Sequence, residues 1–212
     1  MTMGKFITIE GIEGAGKTTA LHYVHQYVGR SQSVLMTREP GGTPLAELVR
    51  KLLLNTEATE KILAETELLL FFAGRNQHLQ HLVLPALHAG KWVICDRFID
   101  ATYAYQGGGR GLSNDSISML DHWIIKDLSP DLTILLDVSV EEGLLRAAKR
   151  GGIKDRIEKE KIEFFERVRE RYLQRAAAYP QRIKVVDASQ QLDLVQFDLK
   201  HILMQFLNNQ VY

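Results

Sequence analysis

The sequence has few of the features that mark secreted, membrane-spanning or nucleic-acid-binding proteins. It contains one cysteine, Cys95, so no disulfide can form within the chain, and a reducing compartment is indicated. No apolar run approaches the roughly 18 residues of a membrane span, and residues 1–6 are too short and too weakly apolar for a signal peptide. The 26 basic residues balance 26 acidic ones, which leaves no net field to attract nucleic acid or an anionic membrane. We therefore expect a cytoplasmic protein that binds neither nucleic acid nor a membrane.

The sequence also lacks internal repeats and low-complexity tracts. Its 212 residues are 45% hydrophobic, which is enough for a sizeable core, and single domains commonly reach about 200 residues. We therefore expect one domain over residues 1–212. Because the net charge is zero, any nucleotide or other anionic ligand must be bound by a local cluster of basic side chains.

Five short apolar runs predict β-strands. They are continuous rather than alternating, which is typical of strands buried on both faces of a parallel sheet. The predicted strands are Phe6–Glu10, Val34–Thr37, Trp92–Cys95, Leu132–Leu136 and Ile183–Val186. Helical patterns separate and follow them, at about Lys17–Gly29, Pro44–Leu54, Thr59–His88, Asn114–Asp127, Glu141–Arg150, Ile157–Tyr179 and Leu192–Leu207. This alternation predicts a three-layer α/β/α fold with a five-stranded parallel sheet, and Pro85 should kink or end the third helix a turn early.

The first predicted strand is followed by a Walker A pattern, whose glycines let backbone N–H groups point inward at an anion. The residues predicted to bind ATP are Gly11, Ile12, Glu13, Gly14, Ala15, Gly16, Lys17, Thr18 and Thr19. Lys17 should hold the β- and γ-phosphates, and the Thr18 hydroxyl should bind Mg²⁺. The helix that begins near Lys17 adds the positive end of its dipole. A strand before this loop and a helix after it indicate a nucleotide-binding P-loop.

A P-loop alone does not separate kinases from GTPases, or from ATPases that only change shape. The Asn-Lys-x-Asp tetrapeptide that reads guanine in GTPases is absent from the sequence, which argues against a guanine-dependent switch. A kinase needs a second phosphate site and mobile positive charge over the transferred group. Arg97 follows the third strand and can clamp an acceptor phosphate with its planar guanidinium. Asp96 can support the Mg²⁺ shell or orient Arg97.

A second cluster of basic side chains lies beyond the fourth strand. Arg146 and Arg150 are four residues apart, so they share one face of a helix. A glycine pair and further basic residues, among them Lys154 and Arg156, come next. A basic helix end that leads into paired glycines predicts a mobile lid, around residues 146–157, that closes over phosphates.

Five stretches spread along the chain have a more specific pattern than the P-loop alone. They are residues 6–19, Thr-Arg-Glu-Pro-Gly-Gly-Thr at 37–43, Phe-Phe-Ala-Gly-Arg at 71–75, Asp96-Arg97 with Ala-Tyr-Gln-Gly-Gly-Gly-Arg at 104–110, and Asp-Arg-Ile-Glu at 155–158. Together they resemble bacterial thymidylate kinases over nearly the whole chain. The resemblance implies a P-loop kinase fold and ATP-dependent phosphorylation of dTMP to dTDP with Mg²⁺, in dTTP biosynthesis. It also implies a homodimer built through helix packing, for which the sequence offers apolar side chains such as Leu68, Leu69, Phe72 and Leu79.

The acceptor site is expected between the third helix and the segment that follows the third strand. The predicted dTMP-binding residues are Glu13, Arg38, Arg50, Phe71, Arg75, Arg97, Thr102, Tyr105 and Gln106. Phe71 and Arg75 are four residues apart, so Phe71 can stack on the base while Arg75 donates to an oxygen such as thymine O4. Phe72 is assigned to the core, because an apolar stripe on a helix is usually core.

The family implies that Tyr105 crowds the 2′ position of the sugar and that Glu13 approaches its 3′-hydroxyl. Glu10 is expected to face the same pocket. Because the P-loop interior carries no basic residue, the sequence resembles the members whose lid carries the charge. The predicted catalytic residues are Lys17, Arg97, Arg150 and Arg156, and the predicted metal-binding residues are Thr18 and Asp96. Which of the two lid arginines meets the transferred phosphoryl group stays open, and no general base is required.

Some residues depart from the family pattern or invite another interpretation. Phe98 and Ala101 stand where a tyrosine or histidine and a serine are usual. His78, His81 and His88 are predicted to be surface or packing residues, because zinc needs a fuller set of ligands. Two alternative functions remain: a kinase for another acceptor, such as dUMP or a deoxynucleoside, and a regulatory protein that uses ATP only to change shape.

Overall fold

The computed structural model describes residues 3–57, 60–151 and 154–208. Its strands are β1 (Phe6–Glu10), β2 (Val34–Arg38), β3 (Trp92–Asp96), β4 (Leu132–Asp137) and β5 (Ile183–Asp187). All pair in parallel, in the order β2-β3-β1-β4-β5. The predicted fold class is therefore confirmed, and the strands after β1 each run one residue past their predicted ends.

The three central strands are buried on both faces, as their continuous apolar runs predict, whereas the edge strands β2 and β5 have exposed side chains such as Met36 and Val185. Trp92 and Ile94 of β3 belong to one apolar cluster, whereas Val93 and Cys95 belong to a second one. Successive side chains of a strand point to opposite faces, so the two clusters lie on opposite sides of the sheet. The register aligns the carboxyl ends of the central strands, because Asp96 of β3 pairs with both Ile9 of β1 and Arg38 of β2.

The helices cover these two faces. They are α1 (Lys17–Val28), α2 (Pro44–Leu54), α3 (Ala64–His78), α4 (Leu84–His88), α5 (Ile99–Thr102), α6 (Asn114–Ile124), α7 (Val140–Arg150), α8 (Ile162–Ala178) and α9 (Leu192–Asn208). Helices α1, α8 and α9 bury side chains in the first cluster, and α3, α4 and α6 in the second. This arrangement gives the three predicted layers.

The third predicted helix starts later and is less regular than expected. A π-helical turn, Leu79–Val83, joins α3 to α4, and the helical path continues past Pro85 to His88. Leu84 donates to the carbonyl oxygen of Leu79, so the wider turn comes immediately before the proline and accommodates its ring without ending the helix. The expected early end is therefore wrong. The predicted start at Thr59 lies outside the described residues, but residues 60–63 are described and are not helical, so the helix starts later than predicted, at Ala64.

Two further segments differ from the sequence-based expectation. The chain after β3 forms α5 and then a π-helical stretch, Tyr103–Gly109, which was not predicted and packs against α8. Helix α8 begins at Ile162 and not at Ile157, because Asp155 Oδ1 accepts from the backbone N–H groups of Ile157 and Glu158, each at 2.8 Å. Such a local turn competes with a helix start.

Candidate active site

A cavity of about 380 Å³ opens at the carboxyl ends of the strands, a size that suits a small-molecule ligand. Most predicted site residues line it: Glu13, Gly14, Gly16, Lys17, Thr18, Thr19, Arg38, Arg50, Phe71, Arg75, Asp96, Arg97, Thr102, Tyr105, Gln106 and Arg150. Four predicted residues lie outside this lining: Gly11, Ile12, Ala15 and Arg156.

The P-loop joins β1 to α1 and wraps around the side chain of Lys17. The Lys17 Nζ donates to the carbonyl oxygens of Gly11, at 3.0 Å, and of Ile12, at 2.8 Å. Burial, and then the charge of Arg97, lower the pKa of Lys17 to about 8. A phosphate bound here would place negative charge beside the ammonium group and favour its charged form.

Other P-loop residues support the loop and do not present side chains to a ligand. The side chains of Ile12 and Ala15 are buried in the core, so these residues offer only their backbone. Gly14 has a φ of 72°, and a Cβ there would lie 1.8 Å from the carbonyl oxygen of Gly143 in α7. Only glycine fits this crossing of the loop over α7.

A tight polar cluster forms where β3 ends beside the P-loop. Arg97, with a φ of 67°, donates from Nη1 to Gly11 O and from Nη2 to Glu13 Oε1, both at 2.8 Å. The Tyr105 hydroxyl donates to the two Glu13 oxygens at 2.9 and 2.8 Å. Burial raises the pKa of Tyr105, so the hydroxyl keeps its proton and remains a donor. Arg97 therefore holds a costly backbone conformation with its guanidinium aimed at the P-loop side of the cavity.

Glu10 lies behind this cluster and not in the cavity. Its carboxylate accepts from the Phe98 N–H at 2.7 Å and from the Tyr172 hydroxyl at 2.8 Å. Burial, and then the charge of Asp100, raise the pKa of Glu10 to about 8. The expectation that Glu10 faces the pocket is therefore wrong; it supports the backbone just after Arg97.

The end of the cavity farther along α3 combines an aromatic face with one free cationic donor. Phe71 lines the cavity, and Phe72 is buried in the second core cluster. Arg75 is 2% exposed and donates from Nε to Glu39 Oε2 at 2.7 Å and from Nη2 to Phe98 O at 3.1 Å. Among the described residues, its Nη1 finds no hydrogen-bond partner although it is buried. This nitrogen is available to an acceptor on a ligand.

The wall formed by α5 and the π-helical stretch carries further predicted residues. Thr102 is buried at the cavity surface, beside Ala101. Gln106 also lines the cavity and donates from Nε2 to Glu67 Oε1 at 2.8 Å. The ring of Phe98 packs edge-on against Phe6 at 4.9 Å, so the aromatic character of this position serves the core.

Positive charge accumulates between β2, α2 and β3. The Arg50 Nη1 donates to Pro40 O at 2.9 Å, and the Arg38 Nη2 donates to the Glu47 carboxylate at 3.0 and 3.1 Å. Burial, and then the charges of Arg38 and Arg97, lower the pKa of Arg50. Arg38, Arg50 and Arg97 all line the same cavity, which gives the local basic cluster that an anionic ligand requires.

The two lid arginines have different surroundings. Arg150 lines the cavity with its side chain 65% exposed, and it donates to Glu158 Oε1 at 3.0 Å. Arg156 donates to Leu53 O at 2.8 Å and to Glu67 Oε2 at 2.5 Å, away from the cavity lining. Contact with a transferred phosphoryl group therefore stays a prediction for Arg150, and Arg156 would first have to leave Glu67. The lid residue Gly152 lies outside the described residues.

The predicted metal-binding residues fit a magnesium ion. Asp96 and Thr18 both line the cavity beside the P-loop. The Oδ1 atom of Asp96 is buried and, within the described part of the chain, without a hydrogen-bond partner. Carboxylate and hydroxyl oxygens suit Mg²⁺, which is commonly held by one or two carboxylates together with phosphates and water. In the described ranges, no group of three or more His, Cys, Asp and Glu side chains could hold a metal by itself.

A second cavity, of about 260 Å³, adjoins the P-loop and was not anticipated. Its lining includes Tyr23 of α1, Arg146 of α7, and Ala188 and Gln190 after β5. The Arg146 Nη1 donates to Ala188 O at 2.7 Å, which ties the lid helix to that loop. The loop follows the carboxyl end of β5. Because ligands of α/β sheets bind beyond the carboxyl ends of the strands, the sequence position of this loop could have indicated the second cavity.

The three histidines near α3 have different environments. His81 and His88 are exposed, as expected of surface residues. His78 is completely buried and hydrogen-bonded to two other side chains, Thr37 and Glu39. Glu39, which also lines the main cavity, was not predicted as a site residue.

Comparisons with known proteins agree with this geometry. The sequence model of the family described as thymidylate kinase matches residues 9–199. A thymidylate kinase of Vesicomyosocius okutanii is 51% identical over 204 residues, covering 96% of this chain and 98% of that protein. One of Pseudomonas savastanoi pv. phaseolicola is 55% identical over 205 residues, covering 96% and 97%. A crystal structure of thymidylate kinase from Ehrlichia chaffeensis has a TM-score of 0.74 and 35% identity, covering 95% of this chain and 99% of that one.

Among the helices of the described residues, none combines the length and apolar character needed to cross a membrane.

Proposed function

The chain belongs to the thymidylate kinase family, and we propose that it binds ATP at the P-loop and dTMP at the α3 end of the same cavity. Its reaction is the phosphorylation of dTMP to dTDP, a step of nucleotide biosynthesis. The observation that carries the proposed acceptor site is the buried Nη1 of Arg75, which has no hydrogen-bond partner among the described residues, in a side chain that lines the same cavity as Lys17.

The donor half of the proposal assigns the triphosphate to the P-loop and the adenine to the second cavity. Backbone N–H groups of the loop and the N-terminus of α1 would hold the phosphates, with Lys17 turning from Gly11 and Ile12 toward them. The Arg146 guanidinium and the loop after β5 form a slot beside the P-loop, and its size suits a purine.

The acceptor half assigns three parts of dTMP to three groups of side chains. Arg97, with Arg38 and Arg50 nearby, supplies the positive charge for the monophosphate. Glu13 can accept from the sugar 3′-hydroxyl, and the ring of Tyr105 occupies the adjoining wall.

Thymine would lie against Phe71, with its O4 accepting from Arg75 Nη1. A guanidinium has only donors, so it favours a base edge that presents an oxygen and disfavours the amino group of cytosine.

In this arrangement the protein aligns two phosphates and neutralises charge. Lys17 Nζ and Arg97 Nη1 both donate to the carbonyl oxygen of Gly11, so the two cations lie side by side at the P-loop, and the exposed side chain of Arg150 lines the same cavity. Mg²⁺ held by Thr18 and Asp96 would neutralise phosphate charge when ATP binds. A cytoplasmic location, which supplies ATP and keeps the buried thiol of Cys95 reduced, fits this proposal.

A coupled assay of ADP release tests the proposal, with ATP–Mg²⁺ and dTMP, dUMP, dCMP, dGMP or dAMP as acceptor. Turnover should be fastest with dTMP. Arg75→Ala should weaken the binding of dTMP and reduce the preference for thymine over other bases. Equal turnover of dTMP and dCMP by the wild-type protein would remove Arg75 from the role of base reader. An unchanged thymine preference in Arg75→Ala would have the same consequence.

We also propose a homodimer formed through α2 and its neighbours. Of the apolar side chains considered from the sequence, Leu68, Phe72 and Leu79 are buried, so they cannot form an exposed face; Leu69 is exposed. Large exposed apolar side chains instead include Leu45, Leu48 and Leu52 of α2, and Met119 and Trp123 of α6. Exposed apolar side chains at helical spacing support association through helix packing.

A further inference from the structure

His78 of α3 lies at the centre of a hydrogen-bonded chain that ends on Arg75. Its Nε2 is 2.7 Å from Thr37 Oγ1, and its Nδ1 is 2.9 Å from Glu39 Oε1. The other oxygen of Glu39 accepts from Arg75 Nε at 2.7 Å. The imidazole is completely buried, and it is absent from the lining of the cavity. His78 therefore cannot touch a substrate, but it is one side chain away from the group that we assign to the base.

The charge of Glu39 determines which atoms donate and which accept in this hydrogen-bonded network. Burial alone would raise the pKa of Glu39, but the charge of Arg75 and the hydrogen bond from His78 outweigh it and hold that pKa below its usual value. An ionised carboxylate only accepts, so His78 Nδ1 must carry a proton and donate to it. In the neutral imidazole, Nε2 then accepts from the Thr37 hydroxyl.

The hydrogen bonds of this network fix the guanidinium of Arg75 in one orientation. Glu39 takes the Nε donor, and the carbonyl oxygen of Phe98 takes an Nη2 donor at 3.1 Å. These two bonds define the plane of the guanidinium and leave Nη1, in a residue that lines the cavity, without a protein partner among the described residues. If His78 did not hold one oxygen of Glu39, the carboxylate could rotate and carry Arg75 with it.

The loop after β2 packs directly against the hydrogen-bonded side chains of Thr37 and His78. Gly42 has a φ of 86°, and a Cβ at this position would lie 2.6 Å from His78 Cδ2 and 2.7 Å from Thr37 Oγ1. The imidazole is therefore confined from the loop side by backbone that only glycine can form. Both the hydrogen bonds and the packing limit His78 to the position in which it meets Glu39.

We propose that His78 is a positioning residue for base selection, which acts through Glu39 to hold Arg75 Nη1 at the oxygen that distinguishes thymine from cytosine. This inference rests on the proposed role of Arg75. It extends that role by making the preference for dTMP over dCMP depend on a residue that the substrate does not contact.

The test compares dTMP and dCMP as acceptors in His78→Phe, which keeps a ring but removes both nitrogen atoms. We expect kcat/KM for dTMP to fall about tenfold, mainly through KM, and the dTMP:dCMP ratio to fall with it, while KM for ATP is unchanged. His78→Asn keeps an N–H close to the position of Nδ1 and should recover most of the ratio. His81→Phe, an exposed histidine three residues away, is the matched control and should leave the ratio unchanged.

A double-mutant cycle with Arg75→Ala separates positioning from a general effect on the fold. If His78 acts through Arg75, adding His78→Phe to Arg75→Ala should change kcat/KM for dTMP by less than about twofold. An equal tenfold loss in both backgrounds would overturn the proposal. If Arg75→Ala lowers the dTMP:dCMP ratio and His78→Phe does not, this inference alone is wrong. If Arg75→Ala leaves the ratio unchanged, the proposed function of Arg75 is wrong and the inference falls with it.

Thr37→Val provides a second test that does not depend on the folding of His78→Phe. It removes only the hydroxyl that is hydrogen-bonded to His78 Nε2 and keeps the shape of the side chain. We expect the dTMP:dCMP ratio to fall about threefold, because the imidazole loses one of its two partners. A wild-type ratio in a Thr37→Val protein with wild-type thermal unfolding would overturn the proposal.

Discussion

At the scale of single residues, the buried carboxyl of Glu10 predicts a pH-dependent stability. Its pKa of about 8 exceeds the ordinary value of 4.5, so between these pH values the folded protein retains a proton that the unfolded chain releases. The stabilising contribution of the protonated form is complete below about pH 4.5 and is lost as the pH rises through 8. Glu10→Gln cannot ionise; relative to the wild type, its free energy of unfolding should rise by about 4 kcal/mol between pH 5 and pH 9.

Urea unfolding at both pH values measures this difference. Glu65→Gln, an exposed carboxyl on α3, is the control and should show no such pH dependence. A difference of the same size at pH 5 and pH 9 would contradict the prediction, because it could not arise from ionisation of Glu10.

Because of the position of Lys17, we expect its substitution to affect catalysis and not the binding of the acceptor. Its Nζ donates to carbonyl oxygens of the P-loop, whereas Arg75 belongs to α3 and donates to Glu39 and to Phe98 O. Lys17→Ala should therefore lower kcat by about 1,000-fold and leave the Kd of dTMP within about twofold of the wild type. Steady-state kinetics and calorimetric titration of dTMP measure the two quantities, with the exposed Lys51→Ala as the control. A parallel loss of dTMP affinity would mean that Lys17 also supports the acceptor site.

At the scale of elements, Glu67 joins three segments that surround the cavity. Its buried carboxylate accepts from Gln106 of the π-helical stretch at 2.8 Å and from Arg156 of the lid at 2.5 Å. Arg110 Nε donates to both of its oxygens, at 3.1 and 3.2 Å. Arg156 also binds the carbonyl oxygen of Leu53 at the end of α2, so the C-terminal side of the lid is anchored while Arg150 is exposed.

Glu67→Gln should loosen this anchor, because it weakens the ion pairs of two arginines at once. We expect about 2 kcal/mol of lost stability and faster amide hydrogen exchange in residues 154–160. Exchange measured by mass spectrometry on the native protein checks the second effect, with Glu65→Gln as the matched control on the same helix. Unchanged exchange in residues 154–160 would show that Leu53 O alone is sufficient to hold Arg156.

Element types were predicted well wherever local periodicity decides them. Continuous apolar runs located β1 to β5 to within one residue, because the strands of a parallel sheet with helices on both faces are mostly apolar. Periodicity did not reveal the π-helical stretches Leu79–Val83 and Tyr103–Gly109. A π-helical turn, with i→i+5 hydrogen bonds, inserts one extra residue into the helical repeat. It depends on tertiary contacts, which local periodicity does not contain.

At the scale of the whole molecule, the exposed leucines of α2 predict which face would join the two copies of the proposed homodimer. Leu48 is 55% exposed, and Leu45 and Leu52 extend the same helix face. Leu48→Arg should weaken dimerisation by about 100-fold, because it places a charge in an apolar interface. Sedimentation velocity over a concentration series measures this.

Phe197→Arg, at a side chain of α9 that is 68% exposed, is the control for this substitution. If Phe197→Arg dissociates the protein and Leu48→Arg does not, the dimer forms through α9 and not through α2.

The sequence by itself determined the strands, the P-loop and the side chains that follow the strand ends, because each depends on residues close together in the chain. The tertiary structure alone decided which charged and polar groups pair. Arg156 meets Glu67 across 89 positions, and His78 meets Glu39 across 39. With 26 basic and 26 acidic residues, the sequence permits many such pairs. Only the packing of helices on the sheet brings particular donors within 3 Å of particular carboxylates and, in the described part of the chain, leaves Arg75 Nη1 without a protein partner.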